Sequence, residues 1–252
     1  MQATQNIEHQ SPPLASGDGG CEAIILAGGF GTRLRPIVAD LPKCMAPVAG
    51  KPFLHYVIKH LQKQGVDKFI FSLGYLSETI EAFLSINYPS LNYQLSIETE
   101  PLDTGGAIQL ACKKATAQNV LALNGDTLFL VDVNIMMQFH EANKAACTLS
   151  LKPMQQLSRY GMVEMDNNNC ITSFKEKQFY QNGLINGGVY IINKEKFLSK
   201  ALPEKFSFEK DYLEKMLNEQ HFFGLQQDAY FIDIGIPEDF ERAQIEFVNM
   251  QL

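Results

Sequence analysis

The run Ala23-Ile24-Ile25-Leu26-Ala27 is apolar at every position. A strand that meets water on one face alternates apolar and polar residues, so an unbroken apolar run of this length implies burial on both faces. That in turn requires a sheet with helices packed above and below it. The run opens into Gly28-Gly29-Phe30-Gly31-Thr32, and three cations follow, Arg33, Arg35 and Lys43. Glycine lets backbone N–H groups approach an anion that any Cβ would hold away. Exposed amides beyond a buried strand, backed by cations, suit a polyphosphate.

The chain after residue 21 repeats this alternation. Pro52 with Phe53, Tyr56, Val57, His60 and Leu61 predicts a helix with one apolar face, ending near Gly65. Strands are expected at Lys68–Leu73, Tyr93–Glu98 and Val120–Asn124. Between and after them come a helix capped by Ser77 and carrying Ile80, Phe83 and Leu84, then helices over Thr104–Lys114 and Val133–Asn143. Alternating strands and helices imply a doubly wound, parallel arrangement whose ligands gather beyond the carboxyl ends of the strands. From Cys147 the texture changes to short strands, ACTLSLKP, GMVEMD, CITSFKEK and GVYIIN, with turns such as Asp166–Asn169. A helix over Ser207–Asn218, a strand over Tyr230–Asp233 and a closing helix over Pro237–Val248 complete the pattern. The expected fold is therefore α/β: a doubly wound, Rossmann-like mixed sheet with a smaller α+β lobe. Residues 1–20, polar and rich in Gly, Pro and Ser, read as a flexible extension. Residues 21–252 read as one domain in two halves, 21–145 and 146–252, with no internal repeat and no hexapeptide turns.

Net charge is −7 and the isoelectric point about 5.3, an acidic balance that argues against a nucleic-acid partner. A local cluster of cations in an acidic chain points instead to a small anionic ligand. The five cysteines, Cys21, Cys44, Cys112, Cys147 and Cys170, form no CxxC pair. With no basic-then-apolar leader, they read as reduced thiols of a cytoplasmic protein. No apolar stretch approaches the roughly 20 residues of a membrane span. The five histidines show no metal spacing. His55 and His60, five apart, do not stack on one helical face and are expected to line the helix surface. No Ser-His-Asp order or nucleophile elbow is visible.

Leu26 to Pro52 contains GGFGTRLRP followed by PKCMAPVAGKP. This resembles the sugar-1-phosphate nucleotidyltransferases, whose signature is GGxGTRLxP followed by PKxMxPVxGKP, and the likeness extends from residue 22 to 245. Cys44 is a departure, standing where relatives usually have proline. The resemblance implies transfer of a nucleotidyl group from a nucleoside triphosphate to a sugar 1-phosphate, with Mg²⁺ and without a covalent intermediate. The sugar phosphate attacks the α-phosphorus in line with departing pyrophosphate. Positioning and fixed positive charge supply most of such catalysis. By resemblance, the backbone at Leu26, Ala27, Gly28, Gly29, Gly31 and Thr32 holds the nucleotide. Arg33 meets the departing phosphates and Lys43 the phosphate under attack. Asp126, in LALNGDT, and Asp233, in AYFIDIG, share the Mg²⁺, an ion that takes only one or two protein carboxylates beside phosphates. Alone, Asp126 reads more readily as a turn or cap residue, and neither aspartate is convincing without the other.

The resemblance assigns EPLDTGGA, residues 100–107, to the base, through Glu100 and the backbone of Thr104 and Gly105. Guanine offers N1–H and N2–H₂ to a carboxylate, but uracil and thymine offer N3–H, so Glu100 leaves the base open. The acceptor side is carried by RYGMV, SFKEK and NGGVY: Tyr160, Gly161, Glu176, Lys177, Asn186 and Gly187, with Lys177 as the catalytic cation for the sugar phosphate. Glu176 and Lys177 face opposite sides of an extended strand, so a turn must bring both inward. Within the family, the loop most resembles guanylyl-transferring members that act on a heptose 1-phosphate, which implies GTP. Mannose-specific guanylyl enzymes and uridylyl or thymidylyl enzymes are the near rivals. Two other classes are weaker. A regulatory subunit that kept the fold is expected to lose a cation or a metal aspartate, and Arg33, Lys43, Asp126, Lys177 and Asp233 are all present. A dinucleotide dehydrogenase needs GxGxxG with an acidic residue about 20 positions later, whereas here cations follow. The oligomeric state is not legible.

Overall fold

The structure, a computed structural model, describes residues 20–29 and 40–250. The expected extension over 1–20 falls outside the described residues except for Gly20. So do Phe30, Gly31, Thr32, Arg33 and Arg35 of the glycine loop. In chain order the elements are β1 (Cys21–Leu26), β2 (Pro47–Val48), β3 (Lys51–Pro52), α1 (Phe53–Lys63), β4 (Val66–Leu73), α2 (Ser77–Asn87), β5 (Tyr93–Ile97), α3 (Asp103–Cys112), β6 (Asn119–Asn124) and β7 (Thr127–Phe129). There follow α4 (Val133–Ala142), β8 (Cys147–Leu157), β9 (Met162–Met165), β10 (Ile171–Lys175), β11 (Tyr180–Asn193), α5 (Lys194–Leu198), β12 (Phe222–Gln226), β13 (Phe231–Asp233) and α6 (Pro237–Glu246).

β1 lies in the middle of the main sheet, parallel to β4 on one side and β6 on the other, and β5 extends the parallel part beyond β4. Antiparallel pairing of β11 with β6 makes the sheet mixed and starts the second lobe, where β11 also pairs with β8 and β9. The β1 run is buried on both faces for the reason its composition suggests. Ala23 and Ile25 join one core, with Val57 of α1, Leu84 of α2, Met136 of α4 and Phe240 of α6. Ile24 joins the other, with Ile108 of α3, Phe197 of α5 and the Phe208–Tyr212 region. Each large aliphatic or aromatic side chain fully buried this way contributes about 1.5–3 kcal/mol.

Three local expectations are corrected. His60 is buried rather than on the helix surface, because its position relative to Phe53, Tyr56 and Val57 places it on the same inward face of α1. Burial holds its pKa down, to about 4. Ser77 is not the cap of α2 but its first residue: Leu76 precedes it with φ 54° and no side chain caps the helix. The helix expected over 207–218 is a π-helical segment, Phe208–Glu214, followed by turns; Ser207 does cap it, accepting from the Lys210 amide.

β11 is the element that opens the second half of the site. Its register with β8 breaks between Asn186 and Tyr190, where its neighbour on the other edge changes from β9 to β6. Gly188 sits at φ 71° inside that break, a left-handed conformation that L side chains rarely adopt. All five cysteines are free. Among the described residues, no helix is long and apolar enough to cross a membrane.

Candidate active site

The site lies beyond the carboxyl ends of β1 and β6. Hydrogen bonds from Ala27 N to Ser72 O and from Gly125 N to Leu26 O, both 2.8 Å, carry the parallel ladder past the strand ends. At Gly28 a Cβ would stand 2.8 Å from Glu98 Oε1 and 2.9 Å from Gly74 N, so packing by itself demands the first glycine of the loop.

Asp126 and Asp233 are brought together by the short antiparallel pair β7–β13, in which Asp233 faces Thr127. A hydrogen bond from Ile234 N to Asp126 O, 3.1 Å, closes the ladder beside them. Lys43 enters from a 3₁₀ turn, Lys43–Met45, and donates to Asp126 Oδ2 at 2.5 Å and to Asp233 Oδ1 at 3.3 Å. Burial pulls the Lys43 pKa down, but the two carboxylates outweigh it and hold the ammonium above its ordinary value. Asp233 is pushed up, first by burial and then by the charge of Asp126, against the opposing pull of Lys43 and the Gly235 amide. The Gly235 amide donates to Asp233 Oδ1 at 2.8 Å. Two carboxylates facing one cation leave a net negative charge, a donor set of the size Mg²⁺ takes from protein when phosphate oxygens and waters supply the rest. Among the described residues, no cluster of three or more His, Cys, Asp or Glu could hold a metal ion.

Three cavities meet at Asp233. The central one, about 660 Å³, is lined by Lys43, Asp126, Arg159, Tyr160, Lys177 and Asp233, among others. The second, about 420 Å³, is lined by Tyr160, Gly161, Glu176, Lys177, Asn186 and Gly187 together with Glu209 and Glu214. A third, about 430 Å³, is lined by Leu26, Gly28, Gly29, Glu98 and Thr104 and reaches Asp126 and Asp233. Asp233 lines all three. β10 ends at Lys175 and the chain bends at Lys177, which lets Glu176 and Lys177 face the same cavity.

Some residues singled out from the sequence are placed elsewhere. Glu100 is exposed and lines none of these three cavities; Glu98, one residue past β5, lines the third. Glu98 accepts from the Leu102 amide at 3.0 Å, and burial holds its carboxyl above the usual range. Gly105 is buried, and its amide is spent on Phe206 O at 2.9 Å. A Cβ there would lie 2.2 Å from the Phe206 ring, so this glycine admits an aromatic ring. Ala27 lines the central cavity. Arg159, next to the expected Tyr160, adds a cation: it donates to Asp239 Oδ2 at 2.7 Å and lies over the Tyr160 ring, 5.4 Å from its centroid. Cys44 is buried against Gly125, and burial followed by the Asp126 charge pushes its pKa to about 12, so it remains a thiol.

The family model described as nucleotidyl transferase matches residues 22–249. The chain belongs to the sugar-1-phosphate nucleotidyltransferase family. It is 52% identical over 225 residues to a D-glycero-alpha-D-manno-heptose 1-phosphate guanylyltransferase of Aneurinibacillus thermoaerophilus, covering 89% of this chain and 97% of the relative. It is 42% identical over 219 residues to a protein of the same name from Campylobacter jejuni, covering 87% and 96%. The crystal structure of HddC from Yersinia pseudotuberculosis superposes with a TM-score of 0.82 at 37% identity, covering 90% of this chain and 99% of HddC, which has also been solved complexed with GMP-PN. The chain is thus an enzyme that transfers a nucleotidyl group to a sugar 1-phosphate, and it binds a nucleotide and a sugar phosphate.

Proposed function

We propose that the enzyme transfers GMP from GTP to D-glycero-alpha-D-manno-heptose 1-phosphate, giving the GDP-heptose and pyrophosphate. The observation that carries the mechanism is Lys43 bridging Asp126 and Asp233 in the central cavity, with Asp233 shared by the two flanking cavities. Support for GTP and the heptose comes from the names of the two relatives, which span nearly the same length as this chain. In this reading the Gly28–Gly29 side cavity takes the nucleotide, and the cavity of Tyr160, Glu176 and Asn186 takes the sugar.

Asp126 and Asp233 would hold Mg²⁺, which neutralises phosphate charge when bound. Lys43 sits on the same carboxylates, within reach of a phosphate bound between the cavities, and stabilises the charge that develops during transfer. Lys177 and Arg159 converge on the central cavity from the acceptor side, suited to hold the attacking phosphate in line. The amides from Gly28 onward, with Thr32 and Arg33, take the departing phosphates. Glu98 is the carboxylate available to the base, in place of Glu100.

The test is pyrophosphate release across GTP, ATP, UTP and dTTP, each with the heptose, mannose and glucose 1-phosphates. The pair GTP and heptose 1-phosphate should give the highest kcat/KM. Equal or better turnover with a pyrimidine triphosphate, or with mannose 1-phosphate, refutes the assignment.

A further inference from the structure

In the wall of the sugar cavity, one carboxylate gathers three hydroxyl protons. Glu209 belongs to the Phe208–Glu214 π-helical segment. Its Oε2 accepts from Thr104 Oγ1 at 2.9 Å and Ser207 Oγ at 3.3 Å, and its Oε1 accepts from the Tyr190 hydroxyl at 3.3 Å. Each of these hydroxyls also receives an N–H. Thr104 takes the Phe208 amide at 2.9 Å, Ser207 the Lys210 amide at 3.2 Å, and Tyr190 the Asn186 side-chain amide at 2.9 Å. A hydroxyl has one proton to give, and with an N–H arriving from another direction that proton is directed at the carboxylate.

The two ends of this network lie in different cavities. Thr104 lines the cavity of Gly28 and Gly29, whereas Asn186 and Tyr190 line the cavity of Tyr160 and Glu176. The Asn186 side chain is fixed on both sides, since its Oδ1 accepts from the Gly188 amide at 3.0 Å. One Asn186 N–H is therefore left for a ligand. Burial, then the charge of Glu209, holds the Tyr190 phenol well above its ordinary range, so it stays a donor.

We propose that Glu209 is a positioning residue that locks Thr104 and Asn186 into one hydrogen-bonded unit, so that ordering one substrate prepares the binding of the other. The inference rests on the reading of these cavities as nucleotide and sugar-phosphate sites. A glutamine in its place presents one acceptor oxygen and an NH₂, which turns a donor toward hydroxyls whose protons then lose their acceptor.

The experiment measures heptose 1-phosphate binding by calorimetry, with and without a non-hydrolysable GTP analogue, alongside steady-state kinetics. It compares the wild type, Glu209→Gln and Tyr190→Phe. Tyr190→Phe removes one hydroxyl and leaves the ring in place, so it decides the matter if Glu209→Gln folds poorly. In the wild type the analogue should tighten sugar-phosphate binding by about tenfold, within the usual range of coupling between sites. In both variants that factor should fall toward one. KM for the sugar phosphate should rise while kcat at saturation changes little. A role confined to stability would lower the melting temperature and leave the coupling factor intact, which overturns the inference. If heptose 1-phosphate and mannose 1-phosphate both fail to bind the wild type, the cavity assignment itself falls and the inference with it. Binding to the wild type with equal coupling in the variants overturns the inference alone.

Discussion

Replacing Lys43 by methionine removes an ammonium from between two carboxylates while keeping most of the apolar stem. The Lys43 side chain is 17% exposed, and those of Asp126 and Asp233 are 30% and 28%. Breaking a buried pair by deleting one partner costs about 3–5 kcal/mol. These aspartates retain some water, and Asp233 keeps the Gly235 amide, so the expected loss at pH 7 is nearer 2 kcal/mol. In urea, with a slope of about 2–3 kcal/mol per molar, that moves the unfolding midpoint down by about 0.7–1 M, read by circular dichroism. The deficit should depend on pH. Asp233 already has a raised pKa, and loss of the ammonium raises it further. For a carboxyl with a raised folded pKa, the associated stability is present below the unfolded value and lost as pH rises through the folded value. The gap between variant and wild type should therefore be widest at pH 7 and narrow toward pH 4. The raised pKa of Lys43 itself acts only in alkaline solution, outside this window. Millimolar Mg²⁺ should stabilise the variant more than the wild type, since the freed carboxylates gain a ligand that binds only the folded state. A deficit of equal size at pH 4 and pH 7 would show that lost packing, not charge, is responsible. Absence of any Mg²⁺ effect would remove the case for a cation site at the aspartates.

Glu22, buried at the start of β1, accepts from Lys68 Nζ at 2.8 Å, the Thr116 amide at 2.7 Å and the Ala117 amide at 3.2 Å, and also from the Thr116 hydroxyl. Burial pushes its pKa up, but these donors prevail and hold it below the ordinary 4.5. Its stabilisation is thus present above 4.5 and lost as pH falls through the lower folded value. Glu22→Gln should cost about 2 kcal/mol at pH 7 and flatten the acid limb of thermal melts recorded from pH 7 down to pH 3; an unchanged acid limb would count against this account. Lys177→Ala should raise KM for the sugar 1-phosphate more than for the triphosphate, and Arg159→Met should do the same to a lesser degree. The opposite split in steady-state kinetics would move both cations to the nucleotide side. Gly125→Ala sets a Cβ 2.9 Å from Leu26 O, a backbone atom that cannot swing aside. It should lose about 1–3 kcal/mol, seen as a lower melting temperature; a melt like the wild type's would mean that the two strand ends part easily.

The nucleotide half of the fold is legible because its strands carry their burial in their composition. Ala23, Ile24 and Ile25 enter two different cores in turn, and only an apolar residue at each position allows it. The same local reasoning places Asp126 and Asp233 at strand ends. What puts them side by side is the β7–β13 pairing between distant segments, which no local pattern encodes; there the family resemblance supplied what spacing does not. Glu98 shows a nearer limit. It stands one residue beyond the end of β5, within the strand expected over Tyr93–Glu98, and lines the Gly28–Gly29 cavity, whereas Glu100, which the family resemblance singles out, is exposed and lines none of the three cavities. His60 is the reverse case: its helical period with Phe53, Tyr56 and Val57 places it in the core, and position outweighs the polarity of the imidazole. Arg159 and Glu209 escape for one shared reason. Each is aimed by partners from other elements, Asp239 of α6 for the first, and Thr104 of α3 with Tyr190 of β11 for the second. A charged residue read alone in a polar stretch is most often solvated surface. It becomes part of a site only when the folded chain supplies groups that hold it, and those groups lie 19 to 105 residues away.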